Sequence, residues 1–489
     1  MKVQFEVAFF VALTFLILYI GHISRNRNIK ILQEKSYSLI FGIIFGLLFS
    51  VCQVSSIILD DYNFTLSLFY YALLPIILSE RIFNCYKGFI YQEIGTILIF
   101  VLIGGIMFFF STLILLCSLF WAIESSWNVT EAAVFAAAMY ICGSGLLGLV
   151  KDQWNHIILQ GESMFTIIFA FPLYLSIKYT NEITSENIGV VFGYFFLELV
   201  LSLGFGIIIG MGFTMLLKFS PASKVWDIIE TAPFILVLYL SFILAEGISL
   251  SGPLALLASG LVLVKYHFIN DLSRIVLANN LITLNACSEV LGYIIIGFYL
   301  TINNDYSVIV IVLVPFIIYF SRFLSVSTSY LFSKLCGLKL AGFKDLMSIS
   351  FLSFKGIEAF TLFLLINNEF DNGEKILCFG KFGIAISTLI SNLCFKCLSK
   401  EKDEGYGTSA KGLCLKIKNL LLIFDKFIQD FFYKENQDNS IMSPKFHESP
   451  QKFEPGIQQR QDRDETIREL QALNMNVTET EILSAFQLR

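Results

Sequence analysis

Seven polar side chains lie within or beside long apolar runs of the sequence, where an ionisable group needs a physical explanation. A charge at the centre of a bilayer costs about 2.5–3.5 kcal/mol on insertion scales unless it is paired or hydrated. A carboxylate in such a place can hold a proton or a cation, and neighbouring hydroxyl oxygens can complete the site. The candidates for a core charge network that handles ions are Glu162, Ser163, Thr166, Glu289, Arg322, Lys355 and Glu358.

Two glycine-containing interruptions divide otherwise apolar runs. Gly143, Ser144 and Gly145 interrupt one run, and Gly356 interrupts another about two hundred residues later. A broken helix leaves backbone carbonyls free, which a membrane tolerates only where they line a cavity or meet polar partners. We therefore expect two broken helices whose backbone faces a polar site, with close packing of small residues as the alternative.

The composition is that of a membrane protein. Of 489 residues, 56% are hydrophobic and 15% are charged, whereas about 25% charged residues is usual in soluble domains. A formal net charge of −5 without a long basic run argues against nucleic-acid binding. Cys394 and Cys397 form an isolated CxxC with no second pair nearby, so we expect no zinc site. We expect no metal and no cofactor elsewhere.

The apolar runs predict the number of membrane spans. Because about 20 apolar residues cross a bilayer, and fewer suffice for a broken helix, we predict an all-α polytopic membrane protein with about thirteen transmembrane helices. They fall within a membrane domain of residues 1–399, at 7–22, 37–53, 64–79, 94–121, 131–150, 155–178, 187–217, 228–246, 251–266, 277–302, 306–335, 345–367 and 376–398.

Basic residues predict the orientation. Arg81 and thirteen other Lys or Arg residues fall in alternate loops, so these loops face the cytoplasm and the N-terminus lies outside. Residues 400–489 then form a short cytoplasmic tail. We expect an amphipathic helix at 411–433, a disordered linker at 434–460 and a short C-terminal helix. The amphipathic helix suits the lipid bilayer or a regulatory partner, and we expect the plasma membrane or an endomembrane rather than an organelle.

Six sequence segments follow one another between residues 60 and 398. They are FYYALLPIILSERIF at 69–83, GES at 161–163, AEGISLSGPLALLASGLVL at 245–263, SEVLGYIIIGF at 288–298, YFSRFL around Arg322, and SFKGIEAF at 353–360. In this order and spacing they resemble the sodium/proton exchanger branch of the cation/proton antiporters.

The resemblance implies the sodium/proton antiporter fold, with thirteen helices in two inverted repeats and two crossed, broken helices near the midplane. It also implies a homodimer, each protomer having a dimerisation domain and a mobile core domain. The implied function is secondary transport by alternating access. A monovalent cation (sodium or potassium) would be exchanged for a proton, in the service of pH and ion homeostasis.

The ion site departs from the family's pattern. In the family, an Asn-Asp pair follows the Glu of GES by four and five residues, and here Thr166 and Ile167 take those positions. The Asp of the family's Thr-Asp-Pro element is also replaced, within Gly143–Gly145. An isoleucine can neither bind a cation nor carry a proton. Two hypotheses stay open: an exchanger with an altered site, and a transport-inactive homologue that acts as a scaffold or subunit of a larger complex.

The remaining charges have different implied roles. The family also has Glu, Glu and Arg at the positions of Glu162, Glu289 and Arg322, held by ion pairs. Lys355 takes the place of the family's Arg at the second break, where a cation can offset half-helix ends. The family has a small residue in place of Glu358. This carboxylate could pair with Lys355, three residues earlier, or serve as a relocated ion-binding group.

An enzymatic reading of the first break is weak. Ser144 between two glycines, with His156 and His267 in the chain, is compatible with an intramembrane serine protease. Both histidines fall near predicted cytoplasmic ends, away from the hydrogen-bond reach that a general base needs. We therefore expect no enzyme.

Overall fold

The computed structural model describes most of the chain up to residue 398. The described ranges are 2–26, 34–51, 62–85, 89–122, 127–143, 153–180, 183, 186–218, 226–266, 271–301, 308–335, 343–352, 355–370 and 372–398. All regular structure within these ranges is helical. The predicted elements of the tail at 411–433 and 434–460, and the C-terminal helix, lie outside them, as do Ser144 and Gly145.

Fifteen α-helices and one π-helical turn, Leu68–Leu73, follow one another along these ranges. The helices are α1 Lys2–Asn26, α2 Glu34–Val51, α3 Tyr62–Ser67, α4 Leu74–Cys85, α5 Phe89–Ala122, α6 Val129–Tyr140, α7 Gln153–Thr180, α8 Ile188–Lys218, α9 Trp226–Gly247, α10 Gly252–Tyr266, α11 Asp271–Tyr299, α12 Val308–Leu335, α13 Phe343–Leu352, α14 Ile357–Asn367 and α15 Gly373–Leu398.

Seven helical segments of the described chain are long and apolar enough to cross a membrane. They lie at 34–51, 64–83, 94–122, 155–180, 188–216, 274–299 and 311–335, and shorter apolar helices lie between them. The chain is therefore an integral, multi-pass membrane protein. Each of the thirteen predicted runs overlaps at least one helix. The count of thirteen membrane crossings and the inverted repeats stay predictions.

Burial separates a central helix from a peripheral one. In α7, which carries Glu162 and Thr166, 72% of the apolar stretch is buried, against 22% in α8. Large apolar side chains of α8 such as Ile208 are exposed, as suits a surface that faces lipid tails. The candidate ion-site helix is thus enclosed by protein.

Close backbone contacts join two pairs of helices through glycine. A Cβ atom built on Gly42 of α2 would lie 3.0 Å from the Cα of Gly297 in α11. In α8, a Cβ atom on Gly206 would collide with the carbonyl oxygen of Ala255 in α10 and lie 2.8 Å from the Cβ of Ala258. Small residues permit such contact between membrane helices, where dispersion replaces the hydrophobic effect as the driving force.

We expect Gly206→Ala to lower the thermal stability of the protein in detergent, because the added methyl group meets the backbone of α10 rather than a flexible side chain. Overpacking of this kind costs about 1–3 kcal/mol. Gly204 of the same helix has open space around its Cβ position, so Gly204→Ala should not destabilise the protein. Fluorescence-detected size-exclusion chromatography after heating compares the two variants. Equal losses would contradict the contact.

Two carboxylates hold the start of α10. Glu198 of α8 accepts hydrogen bonds from the backbone N–H of Ser251 at 2.6 Å and from the hydroxyl of Ser202 at 3.0 Å. Glu246 accepts one from the N–H of Gly252 at 2.7 Å and one from the Tyr70 hydroxyl. The first N–H groups of a helix lack partners within it, and its N-terminus favours negative charge. These contacts join α8, α9 and the π-helical turn to α10.

Candidate functional site

The first break ends α6 beside α7. Ile141 leaves the helical conformation at φ −60° and ψ 126°, and the N–H of Cys142 donates to the hydroxyl oxygen of Thr166 at 3.3 Å. Thr166 is fully buried. The residue at the family's Asn position therefore satisfies a backbone donor that the end of α6 has freed, which is a structural use of its oxygen.

The second break lies between α13 and α14 and meets the first. Gly356 is extended at φ −101° and ψ −173°, and the N–H of Lys355 donates to the hydroxyl of Ser387 at 3.2 Å. A Cβ atom built on Gly356 would lie 3.1 Å from the Cα of Gly143 and would collide with Oε2 of Glu358. The two predicted interruptions thus approach each other at their glycines, and a side chain at Gly356 would require the Glu358 carboxylate to move.

A bidentate ion pair joins α7 to α12. Arg322 donates from Nη1 to Oε1 and from Nη2 to Oε2 of Glu162, both at 2.5 Å. Both side chains are buried. The planar fork of arginine matches the two carboxylate oxygens and fixes the relative position of the two helices. The pairing implied for these two residues by the family resemblance is present.

A second buried ion pair joins α4 to α14. Arg81 binds Oε1 of Glu358 through Nη2 and donates from Nη1 to the carbonyl oxygen of Ser163 at 3.3 Å. Both charged side chains are almost fully buried. Arg81 therefore bridges α4 to both α7 and α14. The basic-residue pattern assigned Arg81 to a loop, and this assignment is wrong because Arg81 lies within α4.

The alternative that Glu358 pairs with Lys355 is also wrong. Residues three apart share a face only within a helix, and α14 begins at Ile357, after Lys355 and the extended Gly356. The Lys355 amine instead lies 3.9 Å from the Cys142 sulfur and 4.7 Å from the centre of the Phe108 ring. It therefore reaches the end of α6, where a cation offsets the negative end of a helix.

Glu289 is held apart from these pairs. Its Oε1 lies 2.6 Å from the amine of Lys35 in α2, and both side chains keep about an eighth of their surface exposed, 12% and 13%. The ion pair implied for Glu289 is present, and its partner comes from a residue that the sequence pattern assigned to a loop. The described contacts do not connect Glu289 to the two breaks.

Ile167 is fully buried in α7. It follows Thr166, whose hydroxyl oxygen accepts from the first break. The charged centre formed by the two buried pairs and Lys355 comprises three cations, Arg81, Arg322 and Lys355, against the two carboxylates of Glu162 and Glu358. When all five are ionised they leave this centre one positive charge in excess.

Of the seven predicted residues, Thr166, Lys355 and Glu358 lie against residues of the two breaks. Ser163 is linked to Glu358 through Arg81, and Glu162 and Arg322 form the pair between α7 and α12. The described contacts do not bring Glu289 to the breaks. Sequence reasoning missed Arg81 as part of the site. A signal was present, because Arg81 lies inside the FYYALLPIILSERIF segment and only a few residues beyond the third apolar run. It also missed Lys381 of α15, a buried lysine that donates to the carbonyl oxygen of Tyr299 at 2.7 Å.

Comparison with known proteins finds relatives by sequence and by structure, but not by family model. No family model matches the chain. It is 26% identical over 303 residues to sodium/hydrogen exchanger 5 of Arabidopsis thaliana, covering 57% of this chain and 56% of that protein. It is 23% identical over 300 residues to sodium/hydrogen exchanger 8 of Rattus norvegicus, covering 56% of this chain and 51% of that protein. The match spans about half the length of these relatives.

The fold is similar to that of a solved structure, the sodium proton antiporter MjNhaP1 from Methanocaldococcus jannaschii. The TM-score is 0.62 at 15% identity, covering 82% of this chain and 99% of that one. This confirms the predicted antiporter fold. The chain is thus similar in sequence to named sodium/hydrogen exchangers and in fold to a sodium proton antiporter.

Proposed function

We propose that this chain exchanges a monovalent cation for a proton across its membrane by alternating access. The observation that carries the proposal is the approach of two helix breaks, at Gly143 and Gly356, within a cluster of buried ion pairs. Broken helices near the midplane are how secondary transporters present backbone groups to an ion. The relatives are named sodium/hydrogen exchangers, which supports sodium as the first cation to test.

The cluster suits transport better than simple scaffolding. Buried ion pairs contribute little net stability, because the free-energy cost of removing two charges from water offsets most of their electrostatic attraction. Two such pairs beside two broken helices are a costly arrangement for a protein that only has to hold its shape. The comparisons likewise do not favour the transport-inactive alternative, since the named relatives are exchangers.

The proposal has further parts that rest on the resemblance and the sequence pattern. The protein would form a homodimer in the plasma membrane or an endomembrane and contribute to pH regulation. Residues 400–489 would lie in the cytoplasm, with 411–433 available to a regulatory partner. A protein-reactive label that cannot cross the membrane, added to one side of sealed vesicles, would test on which side this tail lies.

We expect purified protein in liposomes to couple proton movement to a cation gradient. A pH-sensitive dye inside the vesicles would report the flux when sodium, potassium or lithium is added, with choline and empty liposomes as controls. Glu186→Gln serves as a matched carboxylate variant, because Glu186 is exposed between α7 and α8, and it should transport like the parent protein. Absence of any cation-dependent signal from folded protein would overturn the proposal.

A further inference from the structure

The carboxylate of Glu358 has one oxygen engaged and one oxygen free. Oε1 is bound by Arg81, whereas Oε2 has no hydrogen-bond partner within the described part of the chain. The side chain is only 1% exposed. A buried acceptor without a partner carries the full cost of its desolvation, so an unexplained oxygen of this kind calls for a ligand. A proton and a metal cation are the two ligands that a carboxylate oxygen takes.

The free oxygen faces the meeting point of the two breaks. Oε2 is the atom that any side chain at Gly356 would strike, and the Cα of Gly143 lies across the same small space, 3.1 Å from that Cβ position. Glu358 is also the second residue of α14. The oxygen therefore lies beside the point where the two breaks approach each other.

The other candidate carboxylates are not free in this way. Both oxygens of Glu162 accept hydrogen bonds from Arg322. Glu289 is paired with Lys35 and is more exposed. Ile167, at the position where the resembled family has its aspartate, has no ionisable group. Among these positions, Glu358 alone combines deep burial with an oxygen that lacks a hydrogen-bond partner.

We propose that Glu358 is the carboxylate that takes up the exchanged proton or cation in this chain, with Arg81 as its positioning residue. The inference rests on the proposed function and moves the ion-binding group from α7 to α14. Proton and cation would compete for Oε2, so that one is released when the other binds. Arg81 holds Oε1 and stays charged throughout, since a guanidinium does not lose its proton in proteins.

The site suits a monovalent rather than a divalent cation. Calcium takes six to eight oxygen ligands, often several of them carboxylates, and magnesium gives up its water shell reluctantly. Here one free oxygen belongs to a carboxylate whose charge Arg81 already offsets. Such a site lacks the charge needed to dehydrate a divalent ion. Sodium, lithium and potassium chloride are therefore the probes.

Transport by four variants in the same liposomes tests the role of Glu358. Glu358→Gln should lose cation-dependent proton flux to the level of empty vesicles, while Glu358→Asp retains it and Glu186→Gln behaves like the parent. The charge swap Arg81→Glu with Glu358→Arg should recover folding without recovering transport. If the pair serves only to hold helices together, the swap would restore both. Parental flux in Glu358→Gln or in the swap would overturn the inference and leave the proposed function intact.

A binding experiment separates the inference from transport itself. A hydrophobic carbodiimide modifies buried, protonated carboxyl groups, and mass spectrometry locates the adduct. Sodium chloride should slow modification of Glu358 relative to choline chloride and leave that of Glu162 unchanged. If sodium chloride protects Glu358 from modification in a protein that moves no protons, the cation site stands and the proposed exchange is refuted. Modification of Glu358 that is insensitive to all three cations would overturn the site, whatever the flux.

Discussion

Replacing Arg322 by Met should cause the largest loss of stability among the substitutions that the structure suggests. The change removes both donors to Glu162 and leaves a fully buried carboxylate without its partner. Breaking a buried ion pair in this way costs about 3–5 kcal/mol. We expect little monodisperse protein after detergent extraction, and a strongly lowered melting temperature for what remains.

The double variant Glu162→Leu with Arg322→Met distinguishes an unpaired charge from a general packing defect. Removing both charges avoids the uncompensated carboxylate, so the double variant should be clearly more stable than Arg322→Met alone. Glu289→Gln is the matched control, because that pair keeps some exposure to solvent and its loss should be smaller. A double variant as unstable as the single one would show that the pair contributes through its shape and not through its charge.

Restoring the family's carboxylate by Ile167→Asp should destabilise the protein at neutral pH. Ile167 is fully buried, and an ionised carboxylate without a partner is costly there. The loss should exceed that of Ile167→Val, which removes one methylene at a cost of about 0.5–1.5 kcal/mol. Melting temperatures of the three proteins, measured in one detergent, compare these effects.

The pH dependence of stability identifies the cause of the destabilisation by Ile167→Asp. A neutral carboxyl group costs less to bury than a carboxylate, so the folded variant gains by binding a proton as the pH falls. Stability falls with rising pH wherever the folded state binds more protons than the unfolded state. The difference between Ile167→Asp and Ile167→Val should therefore shrink from pH 8 to pH 5. A constant difference across that range would indicate a steric cause instead.

The membrane class and the main elements follow from the sequence alone. Long apolar runs have few folding options in lipid, because every backbone polar group must be satisfied within the segment. The runs at 94–121 and 306–335, for example, correspond to α5 and α12. Glycine interruptions within such runs likewise indicated where the helices break, and Gly143 and Gly356 lie at those breaks. The order of the motifs predicted the antiporter fold.

The partners of the buried charges were decided only by the tertiary structure. Arg81 and Glu358 are 277 positions apart, and no local pattern indicates that α4 and α14 meet. The basic-residue rule assigned Arg81 to a loop because it counts charge near span ends and carries no information on burial. Helical spacing likewise suggested a pair between Lys355 and Glu358, and the extended Gly356 removes the geometry on which that spacing depends.

Loss of the family's aspartate could be read directly from Ile167, whereas the free oxygen of Glu358 could not. Residue type shows which groups are able to ionise. Whether a carboxylate has both oxygens occupied, as in Glu162, or only one, as in Glu358, depends on donors brought in by distant helices. Sequence therefore determined the fold class and the inventory of charges, and helix packing determined which buried carboxylate keeps an oxygen without a hydrogen-bond partner.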